Sequence, residues 1–285
     1  MKPTDRRSFL ATLGTAALAL TLPGCRVVNA SSTRRKLRRI GLQLYTVRDE
    51  MKRDLPGTLA RVAQVGYLEV EFAGYFGRTP DEIRAILQAN HLTSPSSHVG
   101  YPDPATWPRL VDEAKAAGHT YVTCPWIPEE SRRSADDYRR VAEGFNRAAQ
   151  RAKEAGLRFA YHNHDFEFRP VDGAVPFDLL LSSTDRSLVE YEMDLYWVVK
   201  GGHDPVEYFE KYPGRFTMVH VKDATAAPER RMVDVGSGTI DFRRIFAYDA
   251  DHGAHIGHYF VEHDEPANPI ASIKASHDYL ARLEY

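Results

Sequence analysis

Acidic and imidazole residues end four short apolar runs in the second half of this chain: Tyr161-His162-Asn163-His164, Met193-Asp194, Val219-His220-Val221-Lys222-Asp223 and Phe260-Val261-Glu262-His263. Apolar, β-branched runs of that length read as buried strands. Each ends on a side chain able to bind a divalent cation or move a proton. In a parallel α/β protein the carboxyl ends of the strands open on one mouth, so four such endings describe one converging site. Metal-binding residue types gathered at a mouth make an enzyme the first expectation.

The elements that must position these residues alternate along the chain. Strands are expected at residues 40–46, 68–72, 93–98, 120–124, 158–163, 189–193, 216–221 and 259–262. Helices are expected at 55–65, 80–89, 107–117, 135–155, 177–182, 205–211, 242–250 and 269–283. Thr79-Pro80-Asp81-Glu82 carries a cap, a first-turn proline and early acids, and Gly156 closes the long helix before it. No repeat or low-complexity segment intervenes. Eight β/α units over about 250 residues are the size and pattern of a single-domain (β/α)8 TIM barrel, placed here at residues 40–285. The rival doubly wound sheet is weakened because no glycine-rich phosphate loop follows the first strand.

Residues 1–30 read as an export signal. Arg6 and Arg7, in Thr4-Asp5-Arg6-Arg7-Ser8-Phe9-Leu10, precede an apolar run from Ala11 to Leu22, the pattern of a twin-arginine signal. The run is about a dozen residues, short of the roughly 20 that span a bilayer. Two cut sites compete: Leu22-Pro23-Gly24-Cys25, which would leave a lipid on Cys25, and cleavage after Ala30. The mature protein is therefore expected to be periplasmic or membrane-anchored, touching a membrane only through Cys25. Arg34-Arg35-Lys36-Leu37-Arg38-Arg39 reads as a basic linker over residues 31–39. Losing Lys2, Asp5, Arg6 and Arg7 moves the net charge from −2 to −4. That mildly acidic balance argues against nucleic acid as a partner. With only Cys25 and Cys124, no disulfide framework is implied.

The strand-end segments resemble the sugar phosphate isomerase/epimerase family, the xylose-isomerase-like TIM barrels. The resemblance runs from Ile40 to the C-terminus. It rests on Gly41-Leu42-Gln43-Leu44-Tyr45-Thr46-Val47-Arg48, Glu69-Val70-Glu71, Tyr161-His162-Asn163-His164-Asp165-Phe166-Glu167-Phe168, Met193-Asp194-Leu195-Tyr196-Trp197, His220-Val221-Lys222-Asp223 and Val261-Glu262-His263-Asp264. It implies one divalent metal, manganese, cobalt, magnesium or zinc, at the mouth. Asp194, His220 and Glu262 match three of the family's ligand positions. The family's ketose epimerases carry a glutamate at the fourth, where this chain has His162, with His164 and Glu167 as fallbacks. Burying three such groups without a shared partner is costly, and a metal satisfies all three.

The resemblance further implies a small-molecule carbohydrate substrate, with Glu262 or a nearby histidine moving a proton beside a metal-polarised carbonyl. The epimerases use two metal-bound glutamates on opposite faces of the sugar, and here only Glu262 of that pair remains. Isomerase or epimerase is the expected class, and a lyase or dehydratase cleaving a keto-sugar or 3-keto-glycoside is the alternative. Lys222 is expected to hold an enolate or a substrate oxygen. Glu71, His98, Trp126, His164, Glu167 and Trp197 are expected to contact substrate, aromatic faces on C–H surfaces and polar groups on hydroxyls.

Plainer readings stand beside these. Glu69 and Glu71 share a strand face, and one can serve only a salt bridge; Lys222-Asp223 can be a local ion pair. Val235-Gly236-Ser237-Gly238-Thr239-Ile240-Asp241 is a turn and a weak phosphate cradle. A DNA-repair endonuclease of related fold needs more ligands and a basic groove. A non-catalytic sugar-binding lipoprotein is the rival from another class, and the oligomeric state is left open.

Overall fold

The computed structural model describes residues 34–285. The twin-arginine segment, both candidate cleavage points and Cys25 lie outside the described residues.

Eight parallel strands close into a barrel: β1 Gly41–Gln43, β2 Glu69–Phe72, β3 Thr93–His98, β4 Tyr121–Cys124, β5 Arg158–His162, β6 Val189–Asp194, β7 Phe216–Val221, and an eighth at His258–Val261 that pairs back onto β1 through Gly41 with Phe260 and Leu42 with Val261. Helices alternate with them as the apolar periodicity requires, at Leu55–Val65, Pro80–Ala89, Trp107–Ala117, Ala135–Glu154, Pro176–Ser183, Pro205–Lys211, Phe242–His252 and Pro269–Arg282. Local chemistry sets several ends. Thr79 and Ser134 each form a capping box, with Glu82 and Asp137, and Gly66 and Gly118 end their helices at positive φ.

Inside the barrel, Tyr121, Ala160, Met218 and Phe260 form an apolar plug. Toward the strands' carboxyl ends the inward positions turn polar, with Glu71, Ser96, Thr123, His162, Glu192, Asp194 and His220 all buried. That change of layer separates the part of the lumen that stabilises from the part available for chemistry.

The structure departs from the sequence reading in four places. β1 stops at Gln43, because the Gln43 side chain accepts a hydrogen bond from the Tyr45 N–H at 3.0 Å and starts a 3-10 turn, Leu44–Val47, followed by a helix at Arg48–Arg53. Asp194 caps an additional helix, Leu195–Lys200. A two-residue antiparallel ribbon pairs Asp223–Ala224 with Met232–Val233. The basic run expected as a linker lies against the barrel from Arg34 onward. Arg35 and Tyr285 exchange backbone hydrogen bonds in both directions, Arg35 reaches Asp251 at 2.6 Å, and Arg39 reaches Glu69 at 3.2 Å. No helix of the described residues is long and apolar enough to cross a membrane.

Candidate active site and metal centre

The four expected ligands meet. His162 ends β5, Asp194 ends β6 beside His220 of β7 in register, and Glu262 follows the eighth strand. Each offers one ligand atom, and all four atoms lie within 4.8 Å of one another. His162 Nε2 is 3.2 Å from Asp194 Oδ2, and His220 Nδ1 is 3.8 Å from the same oxygen. His220 Nδ1 also lies 2.9 Å from Glu262 Oε2, yet the angle is not that of a hydrogen bond, and this nitrogen and His162 Nδ1 are both buried without a partner. Buried polar atoms are normally satisfied. Two imidazoles and two carboxylates with orphaned nitrogens fit a divalent cation of the manganese, cobalt or zinc type.

Lys222 stands among the same groups. Its Nζ is 2.7 Å from Glu262 Oε2, 3.1 Å from Asp194 Oδ2 and 2.8 Å from Asp264 Oδ1. Burial opposes a charged lysine, but Asp194 and Glu262 override it and hold the ammonium well above its usual range. Reciprocally, burial pushes Glu262 up, and Lys222 and His220 more than reverse this, so Glu262 stays ionised well below the usual carboxylate range. Burial and the neighbouring His220 and His98 hold His162 far below the ordinary histidine range. Burial, with His162 beside it, does the same for His164. Both rings are neutral near pH 7 and suited to ligation rather than proton donation.

Asp223 is not Lys222's partner. Its carboxylate accepts backbone N–H bonds from Ala224, Gly236, Gly238 and Ile240 at 2.8–3.1 Å. The glycine loop thus cradles the chain's own carboxylate, which corrects the phosphate reading: the N–H groups are already used. A Cβ at Gly238 would collide with the Ala224 carbonyl and the Asp223 carboxylate, so the turn requires glycine there.

A cavity of about 440 Å³ opens above the cluster, lined by His98, Trp126, His162, His164, Lys222 and Glu262 as expected, and also by Tyr45 and Asp264. Tyr45 and Trp126 are among the few large aromatics left exposed, at 42% and 43%. Three expected substrate contacts are not among the lining residues. Glu71 is wholly buried beneath His220, its Oε2 2.7 Å from His220 Nε2. Trp197 is the third residue of the helix capped by Asp194, and its ring lies under the Lys222 ammonium at 5.6 Å. Glu167 turns inward to the Tyr161 hydroxyl and the His164 N–H and stands outside the four-residue cluster. Sequence reasoning missed Glu192, Asp264 and Tyr45. The first was within reach, since Glu192 and Asp194 are two apart on one strand and share a face.

Glu167 has a measurable consequence. Burial lifts its carboxyl from 4.5 to about 8 against the Tyr161 hydrogen bond. An acid whose folded pKa is raised imposes no penalty below the unfolded pKa and a growing one up to the folded pKa. Wild-type stability should therefore decline by up to a few kcal/mol from about pH 4.5 to 8 on this account. Urea unfolding of Glu167→Gln across that range should show a flatter profile, and parallel profiles would refute the burial of an acid there.

Over residues 59–283 the chain matches the family described as xylose isomerase-like TIM barrel. It is 27% identical to an inosose dehydratase of Geobacillus kaustophilus, across 81% of this chain and 90% of that protein. A crystal structure of a sugar phosphate isomerase/epimerase from Parabacteroides distasonis superposes with a TM-score of 0.77 at 30% identity, covering 86% of this chain and 98% of the other. A second sugar phosphate isomerase/epimerase from that organism gives 0.73 at 28% identity, over 92% and 99%.

Proposed function

Because the chain belongs to the xylose isomerase-like TIM barrel family, we propose that it is a divalent-metal-dependent lyase that dehydrates a keto-sugar or keto-polyol. The observation that carries this is the asymmetry of the site. Among the described residues, Glu262 is the one carboxylate that both belongs to the ligand cluster and lines the cavity; His162, the other cluster member at the cavity wall, is held neutral. One base suits an elimination, whereas epimerisation by the two-glutamate route needs a second carboxylate across the substrate.

When bound at His162, Asp194, His220 and Glu262, a divalent ion supplies Lewis-acid polarisation of a carbonyl oxygen. The Glu262 carboxylate takes the proton from the carbon next to that carbonyl, and the C–H electron pair forms the double bond as the β-hydroxyl leaves. Glu262 returns the proton to the departing oxygen, which leaves as water, so the carboxylate is regenerated. Lys222, anchored by Asp194 and Asp264, keeps positive charge beside the developing oxyanion. Tyr45 and Trp126 offer faces for C–H surfaces of the ring, and His164 and Asp264 sit where hydroxyls would be held.

The Geobacillus relative's named activity supports the dehydratase reading. The Parabacteroides structures, named as isomerase/epimerases, support a second reading, isomerisation through the same proton abstraction. Export through the Arg6-Arg7 segment completes the proposal and places the barrel of residues 40–285 outside the cytoplasm. Proton NMR in heavy water of the zinc- or magnesium-loaded protein with keto-inositols, keto-sugars and 3-keto-glycosides tests it. Loss of the β-substituent with a new olefinic or enone signal is expected. Deuterium uptake with changed stereochemistry would replace lyase by isomerase, and no exchange by metal-loaded protein with any substrate would sink both readings.

A further inference from the structure

We infer that a second divalent cation binds one layer deeper in the barrel, held by Glu71, His98, Glu192 and His220, so that the His220 ring, as an imidazolate whose N–H proton has passed to solvent on loading, bridges two ions through its two nitrogens. This goes beyond the single ion of the proposed function. The four groups come from β2, β3, β6 and β7, and their ligand atoms lie within 4.8 Å of one another. His220 Nε2 is 2.7 Å from Glu71 Oε2 and 3.3 Å from Glu192 Oε2; His98 Nε2 is 3.3 Å from Glu71 Oε2 and 2.8 Å from Glu192 Oε2. Nitrogens and oxygens therefore alternate around a small ring. In a tetrahedral site with bonds of about 2.0–2.1 Å, ligand atoms stand about 3.3 Å apart, so a slight expansion of this ring accommodates an ion.

Charge and satisfaction point the same way. At the mouth, Asp194 and Glu262 have the Lys222 ammonium as a built-in cation. Among the described residues, Glu71 and Glu192 have only imidazoles as ion-pair partners, although both carboxylates are wholly buried. Two buried carboxylates without a fixed cation are costly, and one divalent ion neutralises both. Glu192 Oε1 is buried with no hydrogen-bond partner, an unfilled acceptor on a ligand of this ring. Glu71 is oriented from behind as a ligand is, by Gln43 Nε2 at 2.7 Å and Ser96 Oγ at 2.5 Å. His98 lines the mouth cavity and supplies the entry path.

The test is zinc stoichiometry of the full chain by elemental analysis after saturation with zinc and removal of excess. Two equivalents per chain are expected in wild type. Glu192→Gln should fall to one while Asp194→Ala also retains one, from the other site. If Glu192→Gln fails to fold, His98→Gln removes a different ligand of the deep ion and is expected to retain one equivalent. A folded wild type that saturates at one equivalent, lost in Asp194→Ala and kept in Glu192→Gln, overturns the deep site and leaves the proposed function standing. One equivalent lost in Glu192→Gln and kept in Asp194→Ala supports the deep site and removes the mouth ion instead. The bridge has its own readout: protein loaded with two copper(II) ions should lose most of its electron paramagnetic resonance signal through coupling across the imidazole, and two independent signals would overturn it.

Discussion

His220→Ala is expected to reduce bound metal to background, abolish turnover and destabilise the fold by about 3–5 kcal/mol. All three effects follow from the position of one ring. Nδ1 faces Asp194 and Glu262, and Nε2 faces Glu71 and Glu192. Alanine removes a ligand nitrogen and also strands buried carboxylates, and removing one member of a buried charged network carries a penalty of that size. Elemental analysis, urea unfolding and turnover measured on the same preparation check it. Asp194→Ala provides the comparison, since it removes a mouth ligand and a helix cap worth about 1 kcal/mol while leaving the deeper ring intact. If His220→Ala keeps its full metal complement, the ligand assignment fails.

Glu262→Gln is expected to fold normally and lose about 10³-fold in turnover at saturating metal, roughly 4 kcal/mol of transition-state stabilisation. Glutamine preserves the volume, and Lys222 keeps Asp194 and Asp264 as partners, so the loss falls on proton abstraction rather than on architecture. Burial raises the Glu262 carboxyl, but Lys222 and His220 hold it well below its usual range. The rate should therefore not fall on this residue's account as pH drops from 7 toward 5. Wild-type turnover in the variant, at matched metal content, would remove Glu262 from the base role.

Much of this was legible because it is encoded locally. A strand buried on both faces of a parallel barrel must be a nearly continuous apolar run, so polar residues at the ends of such runs stand out. That contrast located His162, Asp194, His220 and Glu262 and counted eight β/α units. Capping is equally local: Thr79 with Glu82 announces a helix start without reference to the rest of the chain. The short β1 and the helix after Asp194 escaped because Gln43 and Asp194 fold back onto the next turn, a choice their residue types permit but do not compel.

By itself the sequence determined the barrel, the order of its elements and the strand ends that carry the candidate ligands, since apolar periodicity and strand alternation act over a few residues. Tertiary structure alone decided depth and partnership. Alternation puts Glu69 and Glu71 on one face, yet only closure of the barrel sends Glu69 to Arg39 and His258 and Glu71 to His220. The same holds for Glu192 meeting His98, for Lys222 turning to Glu262, and for Asp223 filling its own glycine loop. These contacts join residues from 13 to 189 positions apart, and for those between strands the stagger and tilt that bring them together are properties of the closed sheet, not of any segment within it.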